Sequence, residues 1–478
     1  MSGRLRRLGL HGADGAERAR ECVARAEASG ARSVRVAFVD PHGALRGKTL
    51  VAEALPGALA DGVAVPSSLL LKDTSQRTVF DVWGEGEVPA GLRGAGDALL
   101  VPAVDSWRTL PWAPDTGWLL CDVARTDGEA LGFASRTVLA RALERLRGAG
   151  LDLVCGLEIE FHVHRLEGGG SLPHADATAP AAAPATSLIA PGWQLLGEST
   201  HDAMHETFAL LRSVCDGLGL PLRTLESEMG PGQVELTFAP GDPMRVADDA
   251  ALLRSAVRQA CRRAGLHASF MCRPRVANAA ASGWHLHQSV VDAGTARNRF
   301  VPAAGREPTP LAGAWIAGLL HHARGSCLMT TPTVNGYRRY GASGRLAPDR
   351  VAWAHDNKGA MLRALLAAGD GASRIENRVA DPSANPHFLI ASQVLAGLDG
   401  VDGGLEAPAP EERPHACDAA RLPGDLGAAI EGFDEHGLYR RALGDGFVDW
   451  LVALKRAEWR RYLDEVSEWE EREYFSMF

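Results

Sequence analysis

Two carboxylates, Glu158 and Glu160, stand two positions apart in the segment GLEIEF. Alternate residues of a β-strand project from the same face, so both side chains point the same way. The flanking residues VCG and FHV favour burial, and close carboxylates oppose each other's ionisation unless a cation lies between them. The pair therefore predicts a ligand site, and a solvent-facing strand is the alternative.

A second acidic pair flanks a turn in ESEMGPGQVE. Glu228 and Glu235 lie on either side of Gly-Pro-Gly at 230–232. A turn at these residues can fold both carboxylates toward one point. Acids beside glycine are also common in ordinary loops, so this motif gains weight only from the others.

Two imidazoles and a hydroxyl alternate in SGWHLHQS. His285, His287 and Ser289 therefore share one face of a strand. Such a face is typical of a metal or phosphate site, and a pair of core histidines is the alternative.

The motif SRIENR alternates Arg374, Glu376 and Arg378 on one strand. It predicts a carboxylate held between two guanidiniums. Such a triad is either a buried ion-pair network or a site that binds anionic groups of a substrate.

Together these motifs supply five carboxylates and one imidazole as candidate ligands, without a thiolate at motif spacing. Hard donors of this kind suit Mg²⁺ or Mn²⁺. Arg339 and Arg363, with the arginines of SRIENR, indicate a polyphosphate, because guanidiniums neutralise the charge that develops in phosphoryl transfer. The pattern GxxxxGK[ST] is absent, which excludes a P-loop protein. The residues predict a metal-dependent, nucleotide-using enzyme.

Interleaved strands and helices must position these motifs. Apolar alternation around Pro-His-Gly predicts a hairpin over 33–51, and the polar run at 125–129 predicts a boundary. Residues 168–191, rich in Ala, Pro and Gly, are expected to form a surface excursion that is disordered rather than a lid. The remaining patterns predict strands at 79–83, 98–104, 117–123, 151–166, 234–239, 269–274 and 283–290, and helices at 18–28, 135–150, 199–218, 246–264 and 446–475.

Composition narrows the class of protein. The 478 residues include 50 Lys+Arg and 59 Asp+Glu, a net charge of −9, and 46% are hydrophobic. These values are typical of globular proteins and give no reason to expect nucleic acid as a partner. Without an eighteen-residue apolar run or a signal-peptide pattern, we expect no membrane segment and a cytoplasmic location. The eight cysteines form no C-x-x-C pair, which argues against disulfides and a zinc ribbon.

Six motifs in order resemble the glutamine synthetase family: GLEIEF, ESEMGPGQVEL, FMCRP, SGWHLHQS, NGYRRY and RIENRVADPSANP. The resemblance runs from about residue 33 to the C-terminus. It implies an α+β chain with an N-terminal β-grasp domain, placed at 1–125, and a catalytic domain with a curved antiparallel sheet, placed at 126–478. It also implies a homododecamer of two hexameric rings, with active sites between neighbouring subunits.

The resemblance also implies roles for single residues. Two or three divalent ions would bind at each site, one of them through Glu160, Glu228 and Glu235 and another through Glu158, His285 and Glu376. ATP would contact His287, Ser289, Lys358, Arg363 and Arg374. Arg339 would hold the α-carboxylate of the amino acid, and Arg378 would lie near its γ-carboxyl, with His285 also beside the substrate. Arg339, Arg363 and Glu160 would act in catalysis. Lys358 stands where the family has an arginine, so the charge is kept and the bidentate fork is lost.

Departures from the family pattern bear on the amine. Ammonia-using members have a glutamate and an aspartate where GRLAP and VPSS place Leu346 and Pro66. Capturing and deprotonating ammonium needs anionic partners, so ammonia is disfavoured and an amine with a hydrocarbon or aromatic body is favoured. Ala280 replaces a family asparagine that contacts glutamate, so an acid related to glutamate is an alternative substrate.

The sequence therefore predicts an ATP-dependent ligase that forms a γ-glutamyl amide from glutamate and an amine other than ammonia. The intermediate would be a γ-glutamyl phosphate. An alkylammonium substrate would need a base to remove its proton, and the sequence leaves Glu160, Glu228, phosphate and solvent as candidates. An arylamine would need no such base. The alternatives are a true glutamine synthetase with an altered ammonium site and a non-catalytic sensor or structural protein.

Overall fold

Two β-sheets that follow one another along the chain organise the fold. The computed structural model describes residues 3–12, 14–89, 91–168, 179–340 and 346–478. The first sheet contains β1 (Ser33–Val39), β2 (Leu45–Val51), β3 (Val63–Pro66), β4 (Asp97–Pro102), β5 (Arg108–Leu110) and β6 (Ala113–Arg125). The second contains β7 (Leu151–Leu166), β8 (Thr186–Leu188), β9 (Leu222–Ser227), β10 (Gln233–Phe238), β11 (Leu266–Ser269), β12 (Trp284–Asp292), β13 (Trp353–His355), β14 (Leu362–Leu365) and β15 (Arg374–Asn377).

The helices precede, separate and follow these strands. In chain order they are α1 (Arg4–Arg7), α2 (Gly15–Ala28), α3 (Leu55–Asp61), α4 (Ser135–Gly148), α5 (Glu198–Ala203), α6 (His205–Leu218), α7 (Pro243–Arg263), α8 (Pro310–His321), α9 (Ala323–Thr330), α10 (Pro386–Asp402), α11 (Leu426–Asp434), α12 (Gly437–Leu443), α13 (Asp445–Leu463) and α14 (Glu468–Tyr474). Within the described ranges, none of them is long and apolar enough to cross a bilayer.

The first sheet has the order β2-β1-β6-β4-β3, with β5 paired to β6. Its β1–β2 hairpin confirms the predicted pair at 33–51. The hairpin turn docks against the rest of the chain, where Arg254 donates to the carbonyl of Gly43 at 2.8 Å. Gly43 has φ +75°, and a Cβ there would lie 2.4 Å from the Arg254 guanidinium, so glycine permits this approach.

The second sheet has the order β13-β14-β15-β12-β7-β10-β9 and is antiparallel except between β13 and β14. β7 is its longest strand, lies between β12 and β10, and also pairs with β8 and β11. Its apolar side chains alternate with the polar ones, and Ile159, Phe161 and Val163 are fully buried. The sheet thus has one face committed to the core and the other free for the polar residues.

Most predicted elements are present, and two predicted strands are wrong. Residues 79–83 form bends and irregular structure rather than a strand, and the Asp81 carboxylate accepts from the Gly84 amide at 2.9 Å. The strand predicted at 269–274 ends at Ser269, and the next residues bond outside the sheet; the Arg273 amide, for example, donates to Asn335 at 2.8 Å.

Two predicted helices are each divided in two. The helix expected at 199–218 is α5 and α6, interrupted at Met204, and the one expected at 446–475 is α13 and α14. Ser467 starts α14 with a capping box to Glu470. Residues 169–178 of the predicted excursion lie outside the described residues. All eight cysteines are free thiols, as their spacing predicted.

Candidate active site

Four strands of the second sheet bring the acidic and imidazole motifs together. Cross-strand register sets Glu235 of β10 opposite Glu160 of β7, and His285 of β12 opposite Glu158. It also sets Glu376 of β15 opposite His287. Directly opposed residues have neighbouring side chains. Motifs separated by up to about 200 positions in the sequence therefore meet on one face of one sheet.

Glu158 links the two histidines. Its carboxylate accepts from Nε2 of His287 at 2.8 Å and lies 3.2 Å from Nδ1 of His285. Burial by itself would raise the pKa of Glu158, but the hydrogen bonds to His285 and His287 hold it below the ordinary value. The two histidines that the sequence placed on one face thus share one carboxylate.

Glu376 is fully buried and is held by two arginines. One is Arg378, as the alternation in SRIENR predicted. The other is Arg363 at 3.1 Å, whereas Arg374 donates to Nδ1 of His287 at 3.1 Å. The prediction that Arg374 and Arg378 hold Glu376 is therefore half wrong. Register gives the reason, because Arg363 of β14 lies directly opposite Glu376.

Glu160, Glu228 and Glu235 form the other end of the site, which we name the acidic end. Their pKa values are raised, whereas that of Glu158 is lowered. Burial and the nearby carboxylates of Glu160 and Glu158 raise the pKa of Glu235 to about 9. Burial and Glu228 raise the pKa of Glu160 to about 8. Burial also raises the pKa of Glu228. Among the described residues, the cations near this end do not offset the repulsion between its carboxylates.

Ligand atoms converge in two groups, each with all atoms within 4.8 Å of one another: Glu158, Glu235 and His285, and Glu158, His287 and Glu376. Carboxylate oxygens with an imidazole nitrogen suit a hard divalent cation. A cation would also offset the repulsion that raises the pKa values at the acidic end. The residues therefore fit a divalent metal.

The grouping differs from the sets that the resemblance implied. Those sets placed Glu235 with Glu160 and Glu228, and gave His287 to ATP. In the structure Glu235 groups with Glu158, and His287 provides a ligand atom beside Glu376. Pairing across strands, which motif order does not specify, produces this difference.

Arg339 lies against the same cluster. Its guanidinium donates to the carbonyls of Val379, Ala380 and Arg378 at 2.6, 2.7 and 3.3 Å, respectively. A Cβ at Gly283 would lie 2.9 Å from Nε2 of His285, 3.1 Å from Nη2 of Arg339 and 3.3 Å from Oε1 of Glu160. Glycine at this position therefore lets an arginine, an imidazole and a carboxylate converge on one small space.

The chain matches a known protein family over most of its length. The model of the glutamine synthetase catalytic domain matches residues 133–474. The chain belongs to the glutamine synthetase family. The family explains a site that combines clustered carboxylates with arginines, since its members are acid–amine ligases that use ATP and divalent metals. The resemblance found in the six motifs is confirmed.

Relatives within the family differ in the amide they are named for. The chain is 36% identical to a γ-glutamylanilide synthase of Acinetobacter sp, over 95% of each chain. It is 30% identical to a γ-glutamylethanolamide synthetase of Streptomyces coelicolor, covering 93% of this chain and 92% of that one. The solved structure of GmaS without ligand superposes with a TM-score of 0.79 at 27% identity, covering 95% of this chain and 99% of that one.

The other predicted site residues lie at varied positions. Ser289 donates to the carbonyl of Ser373 at 3.0 Å, and the Lys358 carbonyl accepts from Arg378 at 3.0 Å. Pro66 ends β3 in the first sheet, and Leu346 is 63% exposed. Their joint role in an amine pocket stays a prediction.

Sequence reasoning missed a polar network behind Glu160. The Gln233 amide donates to the Glu160 carboxylate at 2.9 Å and to the Ser282 hydroxyl at 3.1 Å, while its oxygen accepts from the Gly230 amide at 2.8 Å. The Ser282 hydroxyl lies 3.3 Å from Nδ1 of His162. Two signals were available: Gln233 lies inside GPGQVE, and His162 continues the alternation of Glu158 and Glu160.

Proposed function

We propose that this chain joins the γ-carboxyl group of glutamate to an amine with an aromatic body, in a reaction driven by ATP. The observation that carries the proposal is the 36% identity to a γ-glutamylanilide synthase across 95% of both chains. The apolar residues Leu346 and Pro66, which stand where ammonia-using members have acids, support an uncharged amine.

The carboxylate cluster supports the proposed metal roles. Glu160, Glu228 and Glu235 hold one divalent ion and Glu158, His285 and Glu376 another, with Mg²⁺ or Mn²⁺ as the ion. When bound, these ions neutralise phosphate charge and orient the reacting groups. His285 lies 3.2 Å from Glu158 and 3.7 Å from Glu376, which supports the second set. Glu160 and Glu228 both contribute to the raised pKa of Glu235, which supports the first set.

The arginines and polar groups support the substrate roles. Arg339 and Arg378 bind the amino acid, and His287, Ser289, Lys358, Arg363 and Arg374 bind ATP. Arg363 supports this arrangement because its guanidinium already spans from Glu376 to Asp356, at 3.1 and 2.9 Å, and so has a defined orientation. A guanidinium held in this way can stabilise phosphate charge without reorganising.

Two covalent steps make the amide. First, a γ-carboxylate oxygen of glutamate bonds to the γ-phosphorus of ATP, and the bond from that phosphorus to ADP breaks. Second, the amine nitrogen bonds to the acyl carbon, the bond from that carbon to the phosphate oxygen breaks, and phosphate leaves. The nitrogen releases one proton in the second step. An arylamine is neutral at pH 7 and reaches the acyl phosphate without prior deprotonation, so the missing acids of the ammonium site are not needed.

We also propose the organisation implied by the family. An N-terminal β-grasp domain at 1–125 precedes a catalytic domain at 126–478, and the subunits form a dodecamer of two rings. The eight unpaired thiols fit a reducing compartment such as the cytoplasm.

The test is phosphate release from ATP with glutamate and Mg²⁺, across aniline, ethanolamine, monoalkylamines, polyamines and ammonium, with each product identified by mass. We expect γ-glutamylanilide and little glutamine. If ammonium is the best substrate, the chain is a true glutamine synthetase. If all amines fail with glutamate while another acid works, the acid assignment is wrong and the replacement at Ala280 explains why. If no acid or amine reacts, the non-catalytic alternative holds.

A further inference from the structure

Apolar side chains crowd the surface beside Glu228. In the segment 190–197, which we name the arm, Trp193 is 74% exposed, and Leu195 and Leu196 are also exposed. Met229, the residue after Glu228, is exposed as well. Exposed tryptophan is unusual on a monomer surface, and a cluster of this kind marks a place where something apolar binds.

Backbone hydrogen bonds fix the arm to the strand end that carries Glu228. The Trp193 amide donates to the Met229 carbonyl at 2.7 Å, and the Leu196 amide donates to the Ser227 carbonyl at 3.1 Å. These two bonds lie on either side of Glu228. The arm is therefore held against the acidic end of the candidate active site.

Close packing and backbone conformation also point to a built feature. Gly192 has φ +73°, and a Cβ there would lie 2.6 Å from backbone atoms of Gly230 and Pro231. Trp193 and Leu196 have φ values of 72° and 55°, in the left-handed region that bulky residues rarely adopt. Strain of this kind persists where the surrounding structure enforces it, which is most often at functional sites.

We infer that Trp193, together with Met229, forms the wall that binds the aromatic ring of the amine and so determines amine specificity. This inference rests on the proposed function. The amine nitrogen must reach the carboxylate cluster, which places the body of the amine at the edge of the cluster, where the arm lies. Indole stacks favourably on an aryl ring, and a methionine sulfur adds favourable contact with its edge.

The test compares amines in the full-length enzyme. We would measure kcat/KM for aniline and for methylamine, and the formation of γ-glutamyl hydroxamate from hydroxylamine, in wild type and in Trp193→Ala, Trp193→Phe and Leu188→Ala. Leu188 is the matched control, since it is an exposed leucine on β8, before the arm. In Trp193→Ala we expect kcat/KM for aniline to fall about tenfold relative to methylamine and hydroxylamine, because a lost aromatic contact lowers affinity by about that factor.

The variants separate specificity from structure. Trp193→Phe should restore most of the selectivity for aniline, and Leu188→Ala should leave both kcat/KM values unchanged. Equal losses with aniline, methylamine and hydroxylamine in Trp193→Ala would overturn the inference, because Trp193 would then only hold the Glu228 turn. A change in particle size with unchanged amine selectivity would also overturn it, because the patch would then be a subunit contact.

Failure of the proposed function gives a different result. In that case wild-type protein itself makes no γ-glutamylanilide, whatever Trp193 does. If wild type makes the anilide and Trp193→Ala keeps the same preference among amines, the proposed function stands and the role of Trp193 is wrong.

Discussion

The two ends of the candidate active site solve the same electrostatic problem differently. At one end Glu158 and Glu376 are each paired with cationic or hydrogen-bonding partners from this chain, and their pKa values are lowered despite burial. At the other end Glu160 and Glu235 face further carboxylates, and their pKa values rise to about 8 and about 9. Within the described residues, the chain supplies partners for the carboxylates of the first end, whereas a bound cation would offset the repulsion at the second.

Removing the carboxylate of Glu376, at the end formed by Glu158 and Glu376, should have the largest effect on activity and stability. Glu376→Gln leaves the guanidiniums of Arg363 and Arg378 without their buried carboxylate. We expect amide formation to fall about a thousandfold, since preorganised charge is lost, and the free energy of unfolding to fall by about 3 kcal/mol, since a buried ion pair is broken. Product formation and urea unfolding measure the two effects.

Glu144→Gln, on the exposed side of α4, is the matched control and should change neither quantity. If Glu376→Gln unfolds at the same urea concentration as wild type, the end formed by Glu158 and Glu376 does not stabilise the fold, and the contrast between the two ends is wrong.

Removing a carboxylate from the acidic end should not destabilise the fold. Glu235→Gln removes one of several mutually repelling carboxylates, so the metal-free protein should be at least as stable as wild type. Loss of a ligand should weaken Mn²⁺ binding about a hundredfold. Calorimetric titration of the metal-free protein with Mn²⁺ measures the affinity. A marked destabilisation of Glu235→Gln without metal would contradict the contrast.

Disrupting the hydrogen bonds of Gln233 to Glu160 and Ser282 should have a smaller effect on Mn²⁺ affinity. Gln233→Ala frees the Glu160 carboxylate and the Ser282 hydroxyl, and we expect about a tenfold loss of Mn²⁺ affinity. Gln259→Ala removes an amide of the same kind that bonds Arg35 at 2.8 Å, away from the cluster, and should leave Mn²⁺ affinity unchanged. Equal Mn²⁺ affinities in Gln233→Ala and wild type would show that Glu160 needs no support.

The last expected effect is a dependence of stability on pH in the metal-free protein. The folded pKa of Glu235, about 9, lies above its ordinary value of 4.5, so the folded state holds this proton more tightly than the unfolded state. Its contribution to stability is therefore fully present below pH 4.5 and is lost as pH rises toward 9. In the presence of a chelator, thermal unfolding of wild type should shift to lower temperature across this window. Glu235→Gln should flatten the shift, and an identical slope in both proteins would rule out this carboxylate as its source.

Much of the site was predictable because it depends on local alternation. Glu158 and Glu160 share a face of β7, and His285 and His287 share a face of β12, as a period of two requires. Long, strongly patterned elements such as β7 were also predictable, and its predicted bounds agree with Leu151–Leu166. The short segments at 79–83 and 269–274 failed: in the first the Gly84 amide bonds locally to Asp81, and in the second the Arg273 amide bonds to the distant Asn335 instead of a neighbouring strand.

By itself, the sequence determined the family, the ligand types and the face on which each motif projects, since motif identity and alternation are local properties of the chain. Only the tertiary structure decided which groups meet. Arg363 rather than Arg374 binds Glu376, Gln233 supports Glu160, and the arm carrying Trp193 lies beside Glu228. These contacts depend on strand register and on loops that contact residues distant in the sequence. Local alternation specifies neither the register nor these loop contacts.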